Sequence, residues 1–242
     1  MSKLNHLKDL LNIRVHFNKN ARNISDTRAS QIIHGLFDQG TVLPFNPFSL
    51  NPNTILHLIN EIIINKRSSV IEFGSGLSTV VLAKYVQLNQ LPISILSVDD
   101  DQDWINLIKD QLRQHKCDSV VSFVYAPIKP YSSENHMGSW YDSEKITQAL
   151  QDNRLDMVVV DGPGANTSRL ARFPALEVIE KNLAQNFFVL LDDIRRSDEK
   201  IILNKWASTL GKNKSLKVSW NKKDVYGTLV CGDGFSSGPL SY

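Results

Sequence analysis

Acidic residues and glycines recur in the middle of this 242-residue chain, each group directly behind a short apolar run. The first group is Glu72 with the turn Gly74-Ser75-Gly76. Three more acidic groups follow, at Asp99-Asp100-Asp101, Asp161 and Asp192-Asp193. Glycine turns let the backbone approach a ligand, while carboxylates bind ribose hydroxyls, accept protons or hold divalent cations. This combination predicts a nucleotide-binding site with acid–base chemistry beside it.

A series of alternating strands and helices must position these groups. The strands are predicted at Val70–Phe73, Ile93–Val98, Val120–Tyr125, Leu155–Val160, Phe187–Leu191, Lys214–Trp220 and Val225–Cys231. The helices between them are predicted at Ser78–Asn89, Gln102–His115, Ser143–Gln151 and Pro174–Asn182, with a last one ending near Leu210. Such alternation predicts a mostly parallel sheet covered on both faces, with an antiparallel hairpin at one edge. Sheets of this kind bind ligands at the carboxyl ends of their strands, where the acids stand.

The first 45 residues are predicted to form a helical extension or cap, because their apolar residues recur at helical spacing. One stripe consists of Leu4, Leu7, Leu10, Leu11 and Ile13, and a second of Ile32, Ile33, Leu36 and Phe37. A segment of about 40 residues is too short to build a core of its own. We therefore expect an extension at residues 1–45 and a ligand-binding domain at residues 46–242.

The residues after the glycine turn separate two kinds of nucleotide cofactor. A dinucleotide-binding turn has glycine or alanine at the sixth position of G-x-G-x-x-G/A, where this chain has Thr79. The difference favours an adenosine ligand without a pyrophosphate, with Ser78 or Thr79 capping the following helix. Asp99, at the end of the second strand, is placed to accept both ribose hydroxyls. Capping of the next helix by Asp100 or Asp101 is the alternative role for this acidic group.

In combination, these segments resemble class I S-adenosylmethionine-dependent methyltransferases. The segments are Glu72–Thr79, Ser97–Trp104, Val158–Pro163 with Arg169–Ala175, and Leu190–Arg195. The resemblance covers residues 45–232 and implies an α/β fold, a Rossmann-like three-layer sandwich with a seven-stranded, mostly parallel sheet and an antiparallel last strand. It implies S-adenosylmethionine as the cofactor, in contact with Glu72, Gly74, Ser75, Gly76, Ser78, Thr79, Asp99, Asp100, Ala126, Pro127 and Asp161.

Methyl transfer requires the acceptor atom to be held in line with the methyl group and, for a hydroxyl or amine, to lose a proton. Asp161 and Asp193 are the catalytic candidates at two strand ends. With Asp192 they could also bind a divalent cation, an arrangement similar to the metal-dependent catechol O-methyltransferase group. That group has Asp-Asn in place of Asp192-Asp193 and lacks the Gly162-Pro163 pair. A simple turn at Asp161–Gly164 is the remaining alternative.

A small-molecule acceptor, methylated on oxygen or nitrogen, is the predicted partner. Residues 126–141, rich in proline, serine and glycine, are predicted to form a long loop over the strand ends. The candidate substrate contacts are His136, Trp140, Tyr141 and Arg195. Arg169, Arg172, Arg195 and Arg196 could bind an anionic substrate, but pairing with the acids is their expected role.

Two other functions stay open at this point. A nicotinamide-dependent oxidoreductase would share the G-x-G turn and the acid after the second strand, although Thr79 argues against it. A non-catalytic relative would bind a nucleoside or a partner protein without turnover. The group of Asp161, Asp192 and Asp193 argues against that reading, because an inactive site has no need to keep its acids together.

Composition limits the partners and the compartment. A formal net charge of +2 predicts neither nucleic-acid nor membrane binding. The two cysteines, Cys117 and Cys231, form no C-x-x-C pattern, which is typical of a protein from a reducing compartment. The sequence shows no apolar run suited to a signal peptide or a membrane span, so a cytoplasmic protein is expected. Assembly into a homo-oligomer is left open.

Overall fold

The computed structural model describes residue 20 and residues 23–211 and 216–239. The strands are β1 (Ser69–Phe73), β2 (Ser94–Asp99), β3 (Val121–Tyr125), β4 (Ile128–Ser132), β5 (Met137–Tyr141), β6 (Leu155–Val160), β7 (Leu183–Leu191), β8 (Leu216–Asn221) and β9 (Tyr226–Cys231). Seven of them form one sheet in the order β3-β2-β1-β6-β7-β9-β8, while β4 and β5 form a separate hairpin. The predicted start of the sixth sheet strand, at Lys214, lies outside the described residues.

The direction of the strands confirms the expected Rossmann-like sheet. β3, β2, β1, β6 and β7 pair in parallel, and β9 runs antiparallel between β7 and β8. The last strand of the chain is thus the antiparallel one. Central parallel strands are covered on both faces, which explains the nearly continuous apolar residues of β1 and β6.

Helices cover both faces of the sheet and complete a three-layer sandwich. They are α1 (described over residues 23–34), α2 (Pro52–Asn65), α3 (Leu77–Leu88), α4 (Gln102–Gln114), α5 (Ser143–Leu150), α6 (Pro174–Ile179) and α7 (Ser197–Leu210). One buried cluster joins the sheet to α5, α6 and α7, and the other joins it to α1, α2, α3 and α4. None of the helices in the described part of the chain is long and apolar enough to cross a membrane.

The described part of the N-terminal region packs onto the sandwich. Ile33 and Phe37 are buried in the same cluster as α2 and α3, whereas Ile32 is 44% exposed. The stripe expected at Leu4–Ile13 lies outside the described residues. A boundary near residue 45 therefore stays a prediction, although α1 and α2 share one core.

The prediction of a long loop at residues 126–141 is wrong. This segment forms the antiparallel β4–β5 hairpin, in register from Ile128 opposite Tyr141 to Ser132 opposite Met137. Its proline, serine and glycine content resembles a loop, but tertiary packing decides its structure. Trp140 is fully buried in the core, and Glu177 of α6 accepts hydrogen bonds from three hairpin side chains.

Candidate active site

The first half of the site is the glycine turn between β1 and α3. Gly74 has a φ of +96°, and a Cβ added there would lie 2.9 Å from the Gly162 nitrogen. Only glycine suits this combination of positive φ and close backbone approach. The amides of Asp161 and Gly162 both donate to the Phe73 carbonyl oxygen, at 2.9 Å and 2.7 Å. The loops after β1 and β6 therefore touch at the carboxyl edge of the sheet.

Open space lies at the start of α3. Gly76 is in extended conformation, and a Cβ added there would meet no atom within 4 Å. Its amide donates to the Thr79 hydroxyl oxygen at 2.9 Å, so Thr79 caps the helix as the sequence suggested. The N-terminus of α3 offers backbone N–H groups at this point. The backbone of this turn is therefore accessible to a ligand.

Glu72 lies beneath the turn and is fully buried. Its two carboxylate oxygens accept hydrogen bonds from the Ser78 and Thr79 hydroxyls, and Ser97 Oγ lies 3.4 Å from one of them. Burial raises the pKa of Glu72 to about 7 against the effect of these hydrogen bonds, and the charge of Asp161 adds to the rise. Glu72 thus holds the start of α3 against the sheet. Its contact with a cofactor stays a prediction.

Asp99, at the end of β2, ties the glycine turn to the next helix. Its carboxylate oxygens accept the Ser75 amide at 2.7 Å and the Asp101 amide at 3.0 Å. Burial raises the pKa of Asp99. Helix capping belongs to Asp101, whose carboxylate accepts the backbone amides of Asp103 and Trp104, and Asp100 is exposed. Asp99 is therefore free of the capping role and lies at the edge of the open turn.

Other polar and backbone contacts join this half of the site. The Ala126 amide, after β3, donates to the Asp99 carbonyl oxygen at 2.8 Å, and Pro127 follows it half-buried. Sequence reasoning missed two contacts of the turn: Ser97 Oγ lies 2.8 Å from Ser75 Oγ, and the Trp104 indole donates to the Ser75 carbonyl oxygen at 2.7 Å. A polar Ser97 inside an apolar strand was the available signal.

The second half of the site is the strand-end cluster, formed by Asp161, Asp192, Asp193, Arg172 and Arg196. Carboxylate oxygens of the three acids lie within 4.8 Å of one another. Arg172 Nη2 lies 3.3 Å from Asp161 Oδ1 and 3.1 Å from Asp193 Oδ2, and Arg196 Nη2 lies 2.8 Å from Asp193 Oδ2. The arginines pair with the acids, as the sequence suggested for these two.

Two acids of the strand-end cluster have oxygens that accept no hydrogen bond from any described residue. Asp192 Oδ1 is buried without a partner, and the hydrogen bonds to Asp161 within the described residues all engage Oδ1. Burial raises the pKa of Asp192, and the charges of Asp161 and Asp193 raise it further. Burial also raises the pKa of Asp161, while the Arg172 charge opposes the rise. Burial therefore favours the protonated form of both acids more than in an exposed carboxyl group.

The predicted substrate contacts fall in different environments. Tyr141 is buried, its ring stacks on Phe73 with centroids 6.2 Å apart, and its hydroxyl lies beside Gly162. Burial raises the pKa of Tyr141 well above its ordinary value, with further contributions from Asp99 and Asp100. Its hydroxyl therefore stays protonated and lies between the two halves of the site.

The other three candidates, Trp140, His136 and Arg195, differ in their exposure. Trp140 is fully buried, and its indole nitrogen has no hydrogen-bond partner within the described residues. His136 is buried in the hairpin, and its Nε2 is likewise unpartnered there. Arg195 is exposed. Their contacts with a substrate stay predictions.

Comparison with known proteins gives one family and a group of similar folds. A family model described as a methyltransferase domain matches residues 71–194. No curated protein sequence matches the chain. Among solved structures, an SAH-bound methyltransferase from Podospora anserina is 11% identical, with 93% of this chain and 96% of that chain covered and a TM-score of 0.55.

Two further solved structures are similar. A putative caffeoyl-CoA O-methyltransferase from Staphylococcus aureus is 13% identical over 93% of this chain and 98% of that chain, with a TM-score of 0.52. The O-methyltransferase TomG from Streptomyces achromogenes, solved in complex with SAM, is 14% identical over 86% and 88%, with a TM-score of 0.50. At these identities the likeness shows the fold of the chain.

Proposed function

Since this chain belongs to the methyltransferase-domain family, we propose that it transfers a methyl group from S-adenosylmethionine to an oxygen or nitrogen of a small-molecule acceptor. Membership in the family agrees with the resemblance to class I methyltransferases noted from the sequence. It also leaves the nicotinamide-dependent oxidoreductase without support. A non-catalytic relative stays as an outcome of the test below.

The observation that carries the proposal is the open glycine turn with Asp99 at its edge. A Cβ at Gly76 would point into empty space, and the Asp99 carboxylate is fixed by the Ser75 amide at 2.7 Å. A carboxylate with spare acceptor sites suits two ribose hydroxyls, and the turn has no third small residue for a pyrophosphate. The residues present therefore fit an adenosine cofactor. Gly74, Gly76, Asp99 and Ala126 would hold it.

When bound, S-adenosylmethionine supplies a methyl group on a positively charged sulfur, which departs as the thioether S-adenosylhomocysteine. The task of this chain is to place the acceptor atom and to take its proton. Asp161 is the proposed proton acceptor, because none of the described residues hydrogen-bonds its Oδ2 while Arg172 holds Oδ1. The proton of an acceptor hydroxyl or amine would pass to this oxygen as the new bond to carbon forms, so charge and atoms balance.

Two further groups would orient the acceptor. The Tyr141 hydroxyl is kept protonated by burial, so it serves as a hydrogen-bond donor and not as a base. Asp193 is held by Arg172 and Arg196, and its proposed role is to fix the charge around Asp161. Arg195 is exposed, and its proposed role is to contact the acceptor at the outer edge of the site.

Calorimetry with S-adenosylmethionine and S-adenosylhomocysteine tests the cofactor site. We expect the wild type to bind both and Asp99→Ala to weaken binding by about 10- to 100-fold, the effect of losing one or two hydrogen bonds to a charged group. Asp103→Ala is the matched control, because Asp103 is an exposed acid nearby on α4 and should leave affinity unchanged.

Formation of S-adenosylhomocysteine with a panel of phenols, hydroxy acids and amines then tests turnover. Product with one acceptor class supports the proposal and names that class. Absence of cofactor binding by the wild type contradicts it. Tight binding without product from any acceptor in the panel would favour the non-catalytic relative.

A further inference from the structure

Arg172 lies among the acids of the strand-end cluster with its whole guanidinium engaged. Its side chain is 4% exposed. Nε donates to the Pro163 carbonyl oxygen at 3.3 Å and Nη1 to the Asp192 carbonyl oxygen at 3.2 Å. Nη2 lies 3.3 Å from Asp161 Oδ1 and 3.1 Å from Asp193 Oδ2. The two backbone contacts fix this cation between the ends of β6 and β7.

The strand-end cluster has the donors that a divalent cation prefers, yet such an ion does not fit it as folded. A bound Mg²⁺ or Ca²⁺ needs carboxylate oxygens at roughly 2.0–2.6 Å. Arg172 already binds oxygens of Asp161 and Asp193, and a guanidinium keeps its charge at any relevant pH. A metal in this position would face a fixed positive charge that is buried and cannot turn away without losing both backbone contacts.

The second arginine of the cluster adds to this effect. Arg196 bridges Asp193 and Glu199, with nitrogen–oxygen distances of 2.8 Å and 3.4 Å. Asp193 therefore meets two cations, Arg172 and Arg196. Asp192 Oδ1 has no hydrogen-bond partner in the described part of the chain.

We propose that the Arg172 guanidinium takes the place of a divalent cation between β6 and β7, as a positioning residue that fixes Asp161 and Asp193, so that this protein needs no metal ion. The inference rests on the proposed methyl transfer. It concerns how the acids are held, because Arg172 acts through Asp161 and Asp193.

Manganese binding gives a test that does not depend on turnover. Electron paramagnetic resonance of Mn²⁺ reports the free ion in the presence of wild type, Arg172→Ala, and Arg172→Ala combined with Asp193→Asn. We expect no binding by the wild type at submillimolar Mn²⁺, binding by Arg172→Ala, and its loss in the double variant. Binding by the wild type that Asp161→Asn abolishes would overturn the inference.

Activity gives the second test. After dialysis against EDTA, the wild type should keep its kcat/KM within about twofold, whereas metal catalysis accounts for far larger effects. We expect Arg172→Ala to lower kcat about 100-fold, as removal of a positioned charge at an active site does. Guanidinium ion at non-denaturing concentration should restore at least about a tenth of the lost rate. Loss of wild-type activity in EDTA that Mg²⁺ restores contradicts the proposal.

Controls separate positioning from folding. Arg113→Ala removes an exposed arginine that pairs with Asp110 on α4, and guanidinium ion should not stimulate this variant. Equal stimulation of both variants would count against the inference. If Arg172→Ala does not fold, Arg172→Lys replaces it, and its retained charge without the planar fork should give an intermediate rate.

Cofactor calorimetry on the same samples keeps the two proposals apart. Wild type that binds no S-adenosylhomocysteine contradicts the proposed function itself. Wild type that binds S-adenosylhomocysteine and requires a metal contradicts only the role of Arg172.

Discussion

Two clusters of polar side chains differ in how completely they are hydrogen-bonded. The first, the α2–tail network, joins α2 to the C-terminal segment through His57, Glu61, Arg67, Tyr226 and Ser237. The Glu61 carboxylate binds Arg67 Nε at 2.9 Å and accepts the Ser237 hydroxyl. His57 uses both ring nitrogens, at 2.7 Å from the Tyr226 hydroxyl and 3.0 Å from Ser237 Oγ.

The second is the strand-end cluster, whose Asp193 and Arg196 side chains are 30% and 44% exposed and which leaves some atoms unpaired. Asp192 Oδ1 has no partner within the described residues, and Asp161 keeps one oxygen free. An unpaired buried oxygen destabilises the folded state. In the proposed methyl transfer, a free oxygen of this kind accepts the proton of the acceptor atom.

The number of satisfied hydrogen bonds separates two kinds of polar cluster. A network in which each member is satisfied fixes the packing of two segments. A cluster with unpaired acceptors contributes less to stability, and those acceptors are available to a ligand. Substitutions in the two clusters should therefore move different measurements.

Asp161→Asn should have the largest effect and should separate activity from stability. We expect kcat to fall by about 10²–10⁴, the usual contribution of a general base, with a melting temperature close to that of the wild type. Arg172 keeps its pairing with Asp193 in this variant. A parallel assay of Asp152→Asn, an exposed acid, supplies the control. Full activity of Asp161→Asn would contradict the proposed role of Asp161 as proton acceptor.

Glu61→Ala should give the opposite result. It leaves the buried Arg67 charge without its carboxylate, which destabilises a fold by about 3–5 kcal/mol. In a chain of this size the melting temperature should fall by about 10 °C, while kcat of the folded fraction stays near wild type. Asp110→Ala breaks an exposed pair instead and should change the free energy of unfolding by less than about 1 kcal/mol. Equal losses in both variants would mean that the α2–tail network contributes no special stability.

His57 of the α2–tail network should make the free energy of unfolding depend on pH, an effect smaller than that of Glu61→Ala. Burial lowers the pKa of His57 to about 4, although the charges of Glu61 and Asp224 oppose the shift. The unfolded chain binds a proton on this histidine below its ordinary pKa of about 6.5, and the folded chain does so only near 4. The free energy of unfolding should therefore fall between these values on acidification, by at most about 3 kcal/mol from this group.

Denaturant unfolding of wild type and His57→Gln between pH 7 and 4 measures this contribution. The difference in the free energy of unfolding between the two proteins should shrink as the pH falls, because only the wild type loses the contribution of His57. Carboxyl titrations are common to both proteins and cancel in this difference. A difference that does not change with pH would show that His57 contributes no pH dependence.

Local patterns were sufficient for the strands of the main sheet and for the glycine turn after the first of them. Apolar runs and glycine turns fix strands and turns from neighbouring residues, so β1, β2 and β6 begin and end within two residues of the predicted positions. The hairpin at residues 128–141 escaped such reasoning, because its residues form strands through packing against α6 and the core.

The parallel sheet, the glycine turn and the acids at the strand ends could be predicted from the chain alone, since each depends on short-range order. The partner that each acid meets depends on tertiary packing. Asp161 meets Arg172 from 11 positions away, and Glu61 meets Ser237 from 176 positions away. Such pairs depend on how distant segments pack, and no local pattern encodes them. Packing therefore gave Glu61 partners for its carboxylate and left Asp192 Oδ1 without one in the described part of the chain.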